Sequence, residues 1–270
     1  MNIHYQWIPG SYSHITSQNA IKNLSKNIWE FIWHDNFSDI WKSIDHKNIA
    51  ILPIENSYAW NIHENIYNFL RYDYKIIWEL HTTVEHCLLS RESKIEDIHT
   101  VYSHPQALAQ CHNFLEKNNI TAHAFSDTAW AAQYVANSQK KWIASLSSQL
   151  CEEIYHLNMI KNWVQDQNWN TTRFFIITSN NSDIEYVEKS WKISLIFETK
   201  HKAASLYNCL WAFAKNNVNL TKIESVPSLK DKFSYMFWVD LEANECDENF
   251  QQSLQELKEL THEIKILWSY

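Results

Sequence analysis

A left-handed backbone turn is normally built on glycine, and this 270-residue chain has a single one, Gly10, against fourteen tryptophans. Average usage near 7% would give roughly 19 glycines. Either the chain turns almost without glycine, or another residue stands where glycine belongs. Trp60 in Asn56-Ser57-Tyr58-Ala59-Trp60-Asn61, Trp169 in Asn168-Trp169-Asn170, Trp142 after Lys140-Lys141 and Trp191 in Ser190-Trp191-Lys192 all lie in polar, turn-forming surroundings. A bulky indole fits such a turn poorly. We read the sequence as that of a gene whose UGA codons mean glycine, translated with a table in which UGA means tryptophan. The Asn-, Ile- and Lys-heavy composition fits an AT-rich genome. The alternative is a Trp-rich core, and Trp41 and Trp238, set within apolar patterns, read that way.

The length allows one large or two ordinary domains. A formal charge of -8 without a basic run argues against nucleic acid and anionic membrane surfaces as partners. The start, Met1-Asn2-Ile3-His4-Tyr5-Gln6, lacks the pattern of a signal peptide, and no stretch approaches the apolar length of a membrane span. The expectation is a cytoplasmic protein. Five cysteines (Cys87, Cys111, Cys151, Cys209, Cys246) are scattered and never form C-x-x-C, so neither a disulfide framework nor a zinc site is expected. The fourteen histidines lack the spacing of a metal site.

The first two thirds alternate apolar runs with helical patterns, as in an α/β domain. Residues 48–54 read as a buried strand. Phe37, Ile40, Trp41 and Ile44 repeat at helical spacing behind Ser38, taken as the cap. A helix is expected from Ser103, with Leu108, Cys111 and Leu115 on one face, to Asn118-Asn119, and another from Asp127 to Asn137-Ser138. Arg173 to Ile177 reads as a strand and Thr178 to Lys189 as a polar linker. Beyond it, strand Ile193 to Glu198, a helix with Leu206, Leu210 and Phe213, strands Val218 to Ser225 and Phe233 to Leu241, a helix with Phe250, Leu254 and Leu257, and strand Ile264 to Trp268 make a ferredoxin-like βαββαβ module. The expected domains are 1–180 and 190–270.

Three segments carry polar residues suited to a site. Glu55-Asn56-Ser57 follows a buried strand, where ligands gather in open α/β sheets, although Asn56 or Ser57 serves equally as a helix cap. Ser103-His104-Pro105-Gln106 reads as a capping box, or as His104 and Gln106 presented at an anion-favouring helix start. In Asn170-Thr171-Thr172-Arg173-Phe174, one of only three arginines enters an apolar strand and needs an anionic partner, either a structural carboxylate or a bound acid.

Taken together these residues resemble a known family. Tyr5-Gln6-Trp7-Ile8-Pro9-Gly10-Ser11-Tyr12-Ser13, Pro53-Ile54-Glu55-Asn56-Ser57, Ser103-His104-Pro105-Gln106-Ala107-Leu108, Asp127-Thr128-Ala129 and Thr172-Arg173-Phe174 are similar to the ordered motifs of prephenate dehydratases. Residues 190–270 resemble that family's regulatory ACT domain through Ala204-Ser205-Leu206 and Asn219-Leu220-Thr221-Lys222-Ile223-Glu224-Ser225-Val226-Pro227. The family commonly has glycine where this chain has Trp7, Trp60, Trp78, Trp130, Trp169 and Trp268.

The resemblance implies conversion of prephenate to phenylpyruvate, with loss of carbon dioxide and water, on the route to phenylalanine, and no cofactor. It implies an α/β fold whose catalytic domain has two lobes like a periplasmic binding protein. Thr172 would assist the departing hydroxyl, with His104 or Glu55 as fallback acid, and Arg173 would anchor a substrate carboxylate. Asn56, Gln106 and Ser57 would line the cleft, with Ser11, Ser13, Thr128 and Phe174. The ACT module implies phenylalanine as effector, on Ala204, Ser205, Leu206, Asn219, Leu220, Glu224 and Ser225, between subunits of a homodimer or homotetramer. Two departures bear on that module: Val226 stands where the family usually has Arg, and Ala204 replaces the usual Gly. No chorismate mutase segment is expected before Tyr5. The rival readings are arogenate dehydratase, a two-lobed binding protein without chemistry, and, if the tryptophans are genuine, a dead enzyme.

Overall fold

The computed structural model describes residues 1–25, 30–58, 60–167, 169–187, 191–228 and 235–269. It divides into one unit of Met1–Tyr72 with Glu79–Ile184 and a second of Asp73–Trp78 with Glu185–Tyr270. The chain passes from the first unit to the second after Ile184, and the short segment Asp73–Trp78, which carried no sequence signal for it, belongs with the second.

The first unit holds two sheets and hence two lobes. In lobe one the strand order is Glu30–His34, Asn2–Gln6, Ile49–Asn56, Thr171–Ser179 and Tyr74–Thr83, with the short strand Trp60–Asn61 also on Ile49–Asn56. Ile49–Asn56 is parallel to Asn2–Gln6 and antiparallel to Thr171–Ser179. Its apolar run is fully buried from Ile49 to Leu52, as expected of a central strand. Against this sheet lies the helix Phe37–Ser43, whose Ile40 and Trp41 are completely buried. Trp41 packs edge-on against Phe69, stacks on Tyr72, and donates its Nε1–H to Asn65 Oδ1 at 3.0 Å. The helix begins earlier than expected: Asn36, not Ser38, is the cap, accepting from Asp39 N.

Lobe two is a sheet in the order Asn158–Lys161, Cys87–Ser90, Ile143–Ser147, Thr100–Ser103 and Thr121–Ala124. The expected helix over 103–118 is two, Pro105–Gln110 and His112–Lys117, broken at Cys111. Its cap is His104 rather than Ser103, whose hydroxyl instead donates to Leu146 O. Leu108, Cys111 and Leu115 still meet in one apolar cluster. The helix Thr128–Asn137 starts at Asp127, as its sequence suggested. Two crossing segments join the lobes and bond to each other: Val84 N donates to Asn170 O and Val164 N to His86 O.

Gly10 shows why one glycine is indispensable. At φ +95° it turns the chain into the helix Tyr12–Ala20, and a Cβ there would meet Cys151 Sγ at 2.6 Å. The span read as a linker is anchored over its described part: Thr178 and Ser179 belong to the strand, and Ser182 and Ile184 are buried. Glu188 and Lys189, at the end of that span, lie outside the described residues.

The second unit has the βαββαβ order, with strands Lys192–Thr199, Asn219–Pro227, Tyr235–Glu242 and Thr261–Ser269 and helices Ser205–Lys215 and Glu248–Leu260. Phe233, expected to open the third strand, lies outside the described residues. The sheet order is Asn219–Pro227, Tyr235–Glu242, Lys192–Thr199, Thr261–Ser269, antiparallel throughout. Cys209, Phe213, Phe250, Leu254 and Leu257 from the helices close over one face. Trp238 is fully buried and donates to Asp240 Oδ1.

Trp41→Phe keeps the ring packing but leaves the buried Asn65 Oδ1 without that donor. Urea unfolding should show a loss of about 1–3 kcal/mol, and an unchanged midpoint would contradict this account of the core.

Candidate active site

Strand register decides which residues reach the space between the lobes. Thr172 pairs directly with Asn56, and the next pair, Arg173 with Glu55, points to the opposite face of the sheet. A bulge follows between Arg173 and Phe174, bringing Phe174 opposite Pro53. Thr172, Asn56, Phe174 and Pro53 therefore line a cleft of about 350 Å³, with His86, Gln110 and Asn170 on its floor. That volume suits a small-molecule ligand.

Several helix starts border the cleft, among them that of Pro105–Gln110, capped by His104. Ser11 caps Tyr12–Ala20, its hydroxyl accepting from His14 N and donating to Gln6 O, and Tyr12 and Ser13 line the wall. Asp127 caps Thr128–Asn137, accepting from Ala129 N and Trp130 N, and Thr128 lines the wall beside it. Burial pushes the Asp127 carboxyl above its ordinary pKa, against the pull of the backbone amides that bond it. No lysine or arginine is among the described lining residues, so what the cleft offers an anion is helix ends and N–H donors.

The floor is a continuous chain of side-chain hydrogen bonds. Asn56 Nδ2 donates to Thr172 Oγ1 at 2.8 Å and to Asn170 Oδ1 at 2.7 Å. Asn170 Nδ2 in turn donates to Gln110 Oε1 at 2.8 Å, and His86 Nε2 lies 3.3 Å from that same oxygen. Burial pushes the His86 imidazole down to a pKa of about 4, so it is neutral near pH 7. Because the Thr172 oxygen accepts from Asn56, its own proton is directed elsewhere. The cleft is where it can go.

The expected residues divide accordingly. Thr172, Asn56, Gln106, Ser11, Ser13, His104, Thr128 and Phe174 all line the cleft. Arg173, Glu55 and Ser57 do not. Arg173, read as a substrate anchor, is 4% exposed; its Nε donates to Glu79 Oε2 at 2.5 Å and its Nη1 to Glu55 Oε1 at 3.1 Å, and it lies over the Phe175 ring. Alternation along the strand turns it away from the substrate side, and of the two partners the sequence allowed, it has the structural carboxylates. Glu55 is thereby taken up as an ion-pair partner rather than a fallback acid. Ser57 instead ties the loop, donating to Trp169 O and accepting from Thr171 N.

Gln110, Asn170, His86 and Tyr12 had not been singled out as site residues. Gln110 had a signal, since it follows Gln106 by one helical turn. In the second unit, Ala204 holds the left-handed start of its helix at φ 63°, followed by Ser205 and Leu206. Asn219, Leu220, Glu224 and Ser225 lie on one strand, where Asn219 donates to Glu242 and Glu224 pairs with Lys222. Val226 beside them is fully buried.

A family model for prephenate dehydratase matches residues 3–182. The chain belongs to the prephenate dehydratase family. Arogenate dehydratase 2 of Petunia hybrida is 35% identical over 287 residues, covering 100% of this chain and 71% of that one. Prephenate dehydratase of Methanocaldococcus jannaschii is 32% identical over 263 residues, covering 97% and 94%. Among solved structures, one described as a novel type of quorum-quenching acylase matches at TM-score 0.85 and 26% identity, over 99% of this chain and 96% of that one. Prephenate dehydratase of Arthrobacter aurescens in complex with L-Phe matches at 0.84 and 20%, over 99% and 89%, a likeness of fold. Like its relatives in this family, the chain has an α/β catalytic unit of two lobes.

Arg173→Ala would leave the Glu55 and Glu79 carboxylates without their guanidinium. Thermal unfolding should report a loss of about 3 kcal/mol. A raised KM with unchanged melting would restore Arg173 as a substrate anchor.

Proposed function

We propose that the chain binds prephenate in the cleft and expels its ring carboxylate as carbon dioxide and its C4 hydroxyl as water, giving phenylpyruvate. The family match and the two named dehydratases support this reaction class. The observation that carries the residue assignment is the hydrogen bond from Asn56 to Thr172 Oγ1, which leaves the Thr172 proton for the leaving hydroxyl. Electrons of the breaking C–CO₂ bond enter the ring as the C–O bond breaks, so aromatisation drives the step and an ordinary alcohol suffices as donor. The two substrate carboxylates are held by N–H groups and hydroxyls at the helix starts, Ser11 to Ser13 and Thr128. Gln106 and His104 add donors from the third wall.

Arogenate, with an amine in place of the side-chain ketone, presents the same ring to the same groups, and the plant relative is an arogenate dehydratase. The site's reacting end does not distinguish the two. We assign the second unit as an ACT-type regulatory module taking phenylalanine on the residues from Ala204 to Leu206 and on Asn219, Leu220, Glu224 and Ser225, in a homodimer or homotetramer in the cytoplasm. Its βαββαβ fold and the L-Phe complex of the Arthrobacter aurescens relative support that assignment.

The tryptophan reading gains support from the backbone. Trp7, Trp142 and Trp163 have φ of 76°, 62° and 50°, a region that costs an L-residue about 1–2 kcal/mol and glycine almost nothing. Trp7 also lines the cleft, and Trp163 was not among the positions suspected from sequence. We assign glycine as the native residue at these three positions. Trp41 and Trp238, fully buried with their Nε1–H groups bonded, we assign as genuine tryptophans. Peptide mass spectrometry on protein from the native host should find glycine at 7, 142 and 163 and tryptophan at 41 and 238; tryptophan at all five would contradict the assignment.

Thr172→Ala should lower kcat for prephenate, or for arogenate where that is the better substrate, by about 100-fold or more with an unchanged fold. Steady-state kinetics on both substrates test this. Near-normal kcat would remove Thr172 from the reaction, and no turnover of either substrate by the parent chain would overturn the function.

A further inference from the structure

We propose that His86 is a positioning residue for the dehydration: as an Nε2–H donor it fixes which end of the Gln110 amide faces the substrate and, through Asn170 and Asn56, the direction of the Thr172 hydroxyl. The inference rests on the reading of Thr172 as the group that meets the departing oxygen.

The polarity of the floor can be derived from one backbone amide. Tyr58 N–H can only donate, and it lies 3.0 Å from Asn56 Oδ1. The other end of the Asn56 amide is therefore its NH₂, donating to both Thr172 Oγ1 and Asn170 Oδ1. Asn170 then has its oxygen toward Asn56 and its nitrogen toward Gln110, which must answer with Oε1. The ring nitrogen of His86 facing that oxygen has to carry the proton. His86 is thus the Nε2–H tautomer, with Nδ1 as a bare acceptor 3.1 Å from the Tyr12 hydroxyl. The single proton of that hydroxyl lies between two acceptors, His86 Nδ1 and Glu85 O, the latter at 2.5 Å.

The result is a Gln110 oxygen held by two donors while its Nε2 has no partner among the described residues and the side chain lines the cleft. A flip of this amide would forfeit both bonds and set its NH₂ against other N–H groups. The imidazole is itself locked: it is 2% exposed, sits edge-on to Tyr12, and its backbone bonds Gln165 Oε1 and Val164 N. His86 and Asn170 lie on the two segments that cross between the lobes, Gln110 on a lobe-two helix, and Asn56 and Thr172 on lobe-one strands. One chain of side-chain bonds thus sets donor direction on both walls of the cleft.

The test is a set of variants assayed on the better of the two substrates. His86→Leu removes the donor; His86→Gln places an amide NH₂ where Nε2 stood; His86→Asn restores only the Nδ1 side and substitutes for His86→Leu should that variant fail to fold. His86→Leu should lower kcat by about 10- to 100-fold with KM little changed, and His86→Gln should recover most of that loss. In a Thr172→Ala background, His86→Leu should cost little more, because the groups act as a unit. Equal losses in the Leu and Gln variants, or a full multiplicative loss in the double variant, would overturn the proposal. A Thr172→Ala single variant with near-normal kcat would instead show that the reading of Thr172 had failed, and the positioning role with it.

Discussion

The direction of a single half-buried amide sets the polarity of the hydrogen bonds along this cleft. Asn56 takes a backbone N–H on its oxygen and so has only donors to offer to Thr172 and Asn170. Had the amide been reversed, the Thr172 hydroxyl would be spent as a donor to Asn56 and unavailable to a substrate. Among the described residues no lysine or arginine lies on the cleft walls, so on the proposed reading neutral donors of this kind are what meets developing negative charge. No large pKa shift on Thr172 is required.

The scaffold serves that placement. Asn56 and Thr172 face each other because Ile49–Asn56 and Thr171–Ser179 are antiparallel and in register at their ends. One residue on, Arg173 links Glu55 of the neighbouring strand with Glu79 on the far side of the same sheet. The two faces of one strand pair thus differ: one lines the cleft and the other ties neighbouring strands by ion pairs. Gly10 does similar work at the opposite wall, where only a residue without a side chain can pass Cys151 and deliver Ser11 to the head of its helix.

Much of this was legible in the sequence, for physical reasons. Buried strands such as Ile49–Leu52 announce themselves as continuous apolar runs, and the βαββαβ unit shows clean helical and strand periods. The residues that line the cleft came from short motifs at helix starts and strand ends. What the sequence hid was direction. Periodicity shows that Thr172 and Arg173 face opposite ways, but not which of the two faces the ligand, and Arg173 was the more conspicuous. His86 was hidden for a different reason, since it lies on an irregular crossing segment where no period exists, and Asn170, though it opened a segment that stood out, depends for its bonds on partners distant in sequence. The tryptophans at positive φ were only partly visible: Trp142 was suspected from its turn-forming surroundings and Trp7 from the family pattern, whereas Trp163 was not suspected.

The most direct test of the account is a crystal structure with a saturated prephenate analogue that cannot aromatise. The C4 oxygen should lie within hydrogen-bond reach of Thr172 Oγ1, with the carboxylates against the helix starts at Ser11 to Ser13 and Thr128. An analogue bound with its C4 oxygen directed away from Thr172, or with a carboxylate on the Arg173 guanidinium, would contradict it.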